Sequence, residues 1–127
     1  MKFFQSTFNY PTEDSMNNNI NPHIEQKIRR VKKEYNSLYD VLMEALQQAQ
    51  SGKGAERHQQ YVDEPFENQQ ICEIARRVGV GFNTGQAVKK SYETHGYEED
   101  EVERKVKELL GAINYIAGAI IVLREEN

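Results

Sequence analysis

The sequence predicts a mainly α-helical, small single domain spanning 1–127. It has two long seamed helices, two shorter ones and a short N-terminal strand or arm, and it is homo-oligomeric. Three observations carry that expectation. Two segments repeat apolar residues in alternating steps of four and three, Pro22 and Pro65 stand where first helical residues belong, and Gly79 and Gly96 fall where helices should stop. A chain of 127 residues has room for one domain, in which folding buries roughly two-thirds of the surface of the unfolded chain.

Residues 1–20 are expected to form a short strand or arm. Phe4, Thr7, Phe8 and Tyr10 alternate loosely, and the run then dissolves into DSMNNN, which fits no helical period. An aromatic arm must cover something to be ordered, and a neighbouring subunit serves as well as its own domain; a frayed tail is the alternative.

The first long helix is expected over 21–50. Asn21 can cap it, Pro22 suits its first position, and Ile24, Ile28, Val31, Tyr35, Leu38, Leu42, Ala45 and Ala49 make a heptad seam. Its outer face bears KIRRVKKE, which reads as a solvated charge run. SGKG ends it and opens a basic loop over 51–65.

A helix-turn-helix is expected over 66–96. Pro65 takes the first helical position with Asp63 or Glu64 as cap; Ile71, Ile74, Ala75 and Val78 share a face, and Gly79 closes the helix. The next helix begins near Asn83 or Thr84, runs through Gln86, Ala87, Val88 and Tyr92, and stops at Gly96. A C-terminal helix over 97–127 starts with acids that complement its N-terminus and places Val102, Val106, Leu109, Ile113, Ile116, Ile120 and Leu123 on one seam. Beside the seam lie Gly111, Ala112, Gly118 and Ala119. A glycine inside a helix costs about 1 kcal/mol relative to alanine, so close approach of another helix is expected there. Two seams plus this stripe exceed what one small core needs, so either an oligomer interface or an intrachain antiparallel pair accounts for them.

Composition bounds function. The 16 Lys+Arg and 20 Asp+Glu give a net charge of -4, against a nucleic-acid polymer as partner. Single Cys72 cannot form an internal disulfide, and with three histidines it is too sparse for a zinc ligand set, so a reducing cytoplasm fits best. The first residues lack the apolar core of a signal peptide, and the apolar run Leu109 to Leu123 is about five residues short of a span, so no membrane is expected.

Two cationic segments point to a ligand. In RRVGVGFNTGQAVKK (76–90), Gly79, Gly81 and Gly85 precede or open a helix whose free N–H groups favour an anion, with Asn83, Thr84 and Gln86 as polar neighbours and Arg77 beside them. The spacing matches neither a P-loop nor a dinucleotide fingerprint, and a plain C-cap, turn and N-cap accounts for it equally. In SGKGAERH, Lys53, Arg57 and His58 lie within six residues on a glycine-flanked loop, suited to phosphate or ribose oxygens. Phe82, if exposed, supplies a stacking face for a base. No cofactor or metal is expected.

Catalytic groups are sparse. KELLGAINYIAGAII resembles the second metal-binding helix of the all-α MazG-class nucleotide pyrophosphohydrolases, whose pattern is E-x-x-D before an apolar helix. Glu108 matches its first position, but Gly111 stands in place of the aspartate, and the first helix offers only Asp40 and Glu44 in place of E-E-x-x-E. Magnesium-assisted hydrolysis needs converging carboxylates, so no catalytic residue is expected.

The run from Glu56 to Glu93, with ELLGAINYIAGAIIVL after it, resembles small phage-encoded proteins, most closely the first type of anti-Thoeris nucleotide sponges. That resemblance covers about the last 70 residues and leaves the first third without a counterpart. It implies an oligomer in the host cytoplasm that binds a cyclic ADP-ribose isomer, or in related members a cyclic oligonucleotide, and withholds it intact from immune signalling. Contacts from Arg57 and Phe82 would fit such binding. A MazG-like hydrolase and a non-catalytic helical protein-interaction module stay open beside it.

Overall fold

The computed structural model describes residues 31–51 and 64–125. The expected arm, the first ten residues of the expected long helix and most of the basic loop lie outside them. Among the described residues there are four α-helices and no strand: α1 is Asn36–Ser51, α2 Gln70–Val78, α3 Gly81–Glu93 and α4 Val102–Glu125. The chain divides into two compact parts, one up to Met43 and one from Glu44 onward, with α1 running across the division.

Among the described residues of the expected long helix, the first five, 31–35, are not α-helical. Lys32 is extended, Lys33–Tyr35 form a single 3-10 turn, and the α-helix starts only at Asn36. Tyr35, Leu38 and Leu42 of the expected seam are exposed, whereas Ala45 is buried. The carbonyl of Ala45 accepts a hydrogen bond from Asn114 Nδ2 at 2.9 Å, fastening this end of α1 to α4.

Pro65 does not open α2. It precedes a 3-10 turn, Phe66–Asn68, and Gln69 then adopts an extended backbone that delays the α-helix to Gln70. The cause is the Gln69 side chain, which is buried and donates from Nε2 to the carbonyl of Glu64 at 2.8 Å, folding the preceding segment back on itself. Ile71, Cys72 and Ala75 form the buried face; Val78, expected among them, lies exposed at the last turn.

Gly79 ends α2 as expected. Its φ of +98° is a conformation that a side chain would resist, and its N–H donates to the carbonyl of Ala75 at 2.8 Å. Only Gly79 and Val80 separate α2 from α3. The expected turn over Gly81 to Gly85 is instead the first part of α3, because Val80 is already helical and its carbonyl accepts from Thr84 N–H at 3.1 Å.

A reciprocally bonded turn precedes α4. Glu98 N–H donates to Glu101 Oε1 at 3.1 Å while Glu101 N–H donates to the carbonyl of Glu98 at 3.1 Å. Arg104 reaches back to Glu101 and lies 4.0 Å from the centre of the Tyr97 ring, tying the approach segment to the first turn.

The core of the second part is built from α2, α3 and α4. Ile71, Cys72, Ala75, Ala87, Ala112, Tyr115 and Val122 are its buried members, with Phe66, Val80, Phe82 and Ile121 packed at the margin. The Gly/Ala stripe of α4 therefore packs within the chain, as close approach required. The expected seam is on the other face: Val102, Val106, Leu109, Ile116, Ile120 and Leu123 are between 36% and 57% exposed. The helix is apolar on two faces, and the inward one uses the smaller residues.

One guanidinium gathers the end of α4. Arg76 donates from Nε and Nη2 to the two carboxylate oxygens of Glu125 at 2.8 and 2.7 Å, from Nη1 to Glu73 at 3.3 Å, and from Nη2 to the carbonyl of Glu67. Hydrogen bonds from Arg76 hold the Glu125 carboxyl below the ordinary glutamate value of 4.5, and those from Arg77 first and Arg76 next do the same for Glu73. A lowered folded value makes the carboxylates stabilising above pH 4.5, with that contribution lost as pH falls below it and through the folded value. The melting temperature of the wild-type chain should therefore drop more steeply below pH 4.5 than that of Glu125→Gln, measured by circular dichroism; parallel curves would show that this fork contributes nothing.

Candidate functional site

Of the residues expected to hold a ligand, Lys53, Arg57 and His58 lie outside the described residues. The structure describes the other six. Arg77 is at the last turn of α2 with 76% of its side chain exposed, and its Nε donates to Glu73 at 3.0 Å. Gly81 and Thr84 are exposed on the first turn of α3, and the Thr84 hydroxyl bonds to the carbonyls of Val80 and Gly81 at 3.4 and 3.3 Å. Gln86 is half-buried.

Phe82 and Asn83 turn inward. Phe82 packs its edge against Tyr115, with ring centres 5.9 Å apart and an interplanar angle of 80°, so it serves the core margin rather than an open stacking face. Asn83 is 0% exposed and offers nothing to a ligand on the surface. Its Nδ2 donates to the carbonyls of Ile71 at 3.1 Å and Tyr115 at 3.0 Å, so a single amide on α3 holds both α2 and α4. Its Oδ1 is buried with no hydrogen-bond partner among the described residues. The sequence carried a signal for this: Asn83, Ala87 and Lys90 recur at helical spacing, which puts the amide on the same face as the buried alanine.

That same face carries a second polar group, Lys90, which pairs with Glu108 rather than standing free beside the glycine-rich segment. Lys90 Nζ stands 3.4 Å from Glu108 Oε2, with the two side chains only 13% and 22% exposed, and 5.8 Å from the centre of the Tyr115 ring. Gly111 makes room for it: a Cβ at that position would lie 3.3 Å from Lys90 Cδ and Cε. Glu108 is therefore already engaged by an ammonium, and a lysine stem occupies the space where a MazG-like helix would carry its aspartate. Among the described residues no three His, Cys, Asp or Glu side chains come together as a metal site.

Cys72 is fully buried, and burial, outweighing the nearby Arg76 guanidinium, pushes its thiol up from the ordinary value. A raised, enclosed thiol is a poor nucleophile. It is a core residue, as its place on the apolar face of α2 suggests.

What stays available is the α2–α3 joint itself. An exposed arginine ends one helix, a two-residue pivot follows, and the positive end of the next helix opens with Gly81 and Thr84. Such a joint can offer an anion the forked Arg77 guanidinium; of the first N–H groups of α3, those of Phe82 and Thr84 already donate to the carbonyls of Gly79 and Val80. Comparison with protein-family models, with curated proteins and with solved structures finds no match to this chain.

Proposed function

We propose that this protein acts by binding rather than by breaking bonds. Its copies associate, and they sequester a small phosphate-bearing nucleotide of the cyclic ADP-ribose or cyclic oligonucleotide kind implied by the sponge resemblance. The observation that carries the reading is the α2–α3 joint, where Arg77, with 76% of its side chain exposed, precedes the exposed first turn of α3. The ion pair of Arg77 with Glu73 is a solvent-screened surface pair, so a phosphate can displace it. Lys53, Arg57 and His58 of the SGKGAERH segment, outside the described residues, would add to the ligand contacts, and Phe82 contributes to the core in this reading rather than to the base. Withholding a nucleotide needs affinity alone, and charge-assisted hydrogen bonds provide it without a reacting group.

Isothermal titration with a panel of cyclic nucleotides and ADP-ribose isomers tests the reading. One member should bind more tightly than about 10 μM, some 7 kcal/mol, with binding lost in Arg57→Ala and in Arg77→Ala. The ligand should also be recovered unaltered after heat release. No binding across the panel by a chain that still self-associates would favour a second reading, a helical protein-interaction module. The exposed apolar residues of α1 and α4 support that alternative.

A further inference from the structure

We infer that the outward seam of α4 is a self-association surface on which a second copy of this chain docks its own α4 in antiparallel orientation, about a two-fold axis between Asn114 and Tyr115. This deepens the self-association half of the reading above and rests on none of its ligand chemistry.

The inward face of α4 is covered by α2 and α3 and its Lys107–Asn114 side by α1, so among the described residues the outward seam is left without a partner. Val102, Val106, Leu109, Ile113, Ile116, Ile120 and Leu123 follow one another in steps of four and three without interruption. A repeat of 3.5 residues is the spacing at which another helix, rather than a disordered apolar phase, meets every side chain in turn. Ile113 is half-buried and the other six are exposed. Beside the centre of the stripe stand Leu110, Ala112 and Ala119, all buried, and half-buried Ala117. No long polar side chain there would hold a second helix away.

Charge selects the orientation. Glu103 and Arg124 flank opposite ends of the stripe on the same side, both exposed, and neither belongs to an ion pair among the described residues. An antiparallel pair brings like flanks together and layers Val106 on Leu123, Leu109 on Ile120 and Ile113 on Ile116 of the other copy. Glu103 then falls within two residues, about 3 Å along the axis, of the other copy's Arg124, and symmetry makes the pair twice. A parallel pair would set Lys105 beside Leu110 and Ala119 beside Arg124, with no opposite charges facing, and would align the helix dipoles unfavourably. Because the same patch serves both copies, the contact closes as a dimer.

The size of the patch sets the strength. A helix of 24 residues is about 36 Å long and about 10 Å wide, so its footprint is roughly 360 Å² per copy, below the roughly 800 Å² per partner of a standard stable interface. The expected dimer is therefore concentration-dependent, dissociating in the micromolar range. By length and composition α4 could also cross a membrane, and association with lipid is the competing outcome.

Sedimentation equilibrium on the full chain, from low to high micromolar concentration, tests this. The wild-type chain should fit a monomer–dimer equilibrium. Ile116→Glu, shown by circular dichroism to remain helical, should weaken it by at least about tenfold. Glu103→Arg alone should weaken it about three- to fivefold, the effect of losing surface ion pairs, and Glu103→Arg with Arg124→Glu should restore it. A dimer constant unchanged in Ile116→Glu would overturn the assignment while leaving self-association through another face intact. A double variant as weak as Glu103→Arg would overturn the antiparallel orientation. A wild-type chain that stays monomeric, or that floats with neutral phosphatidylcholine vesicles and does not pair in their absence, would overturn the proposal and the self-association it deepens. Loss of nucleotide binding alone would leave it standing.

Discussion

Gly118→Ala is expected to destabilise the protein by about 2–3 kcal/mol in the wild-type background and to stabilise it by up to about 1 kcal/mol in an Asn83→Ala background. The reversal follows from geometry. A Cβ at residue 118 would sit 2.8 Å from Asn83 Nδ2, closer than real Cβ atoms come, while Ile71 and Cys72 lie at 3.5 and 3.6 Å. The amide cannot retreat without releasing both the Ile71 and Tyr115 carbonyls. Disturbing buried hydrogen bonds costs about 1–3 kcal/mol and overpacking costs about 1–3 kcal/mol, partly offset by the roughly 1 kcal/mol that alanine gains over glycine in a helix. With Asn83 shortened, only that last contribution survives. Urea denaturation of the two single variants and the double variant gives the coupling directly; additive effects, with residue 118 indifferent to residue 83, would show that the amide does not hold the three helices.

Ile71→Ala should cost about 2–5 kcal/mol, whereas Ile120→Ala, measured where the chain is monomeric, should stay within about 0.5 kcal/mol. The same side-chain deletion is compared on two sides of one core. Ile71 is 1% exposed, against the buried stripe of α4, and Ile120 is 43% exposed on the outward seam. Equal costs, or the reverse order, would mean that the heptad seam rather than the Gly/Ala stripe carries the core.

That contrast also explains what the sequence made legible. Helix positions were readable from glycine and periodicity: Gly79 stops α2, and the described part of α1 lies within the expected seam. Which face of α4 points inward was not readable. The bulky residues at 4-3 spacing draw the eye as a core, yet the three helices approach on Gly111, Ala112, Gly118 and Ala119, where small residues allow contact that leucines would prevent. The start of α2 was hidden for a different reason, since the bond from Gln69 to the Glu64 carbonyl depends on a backbone reversal that no residue pattern announces. For the ligand residues, glycine content suggested a loop over 81–85. Helical hydrogen bonding from Val80 onward closed that loop, drawing Asn83 into the core and leaving Arg77, Gly81 and Thr84 outside.

The fork at Arg76 sets how the molecule opens. Helix ends ordinarily fray one turn at a time, independently of the rest of the fold. Here the last turn of α4 cannot unwind without surrendering Glu125, and the Phe66–Asn68 turn cannot lift without surrendering the carbonyl of Glu67, while both are held by one side chain rooted in α2. The two ends are therefore linked through one side chain, and Arg76→Ala should speed amide exchange both at Asn68 and near Leu123, 55 residues apart in the sequence; acceleration at one end alone would show that the fork does not couple them.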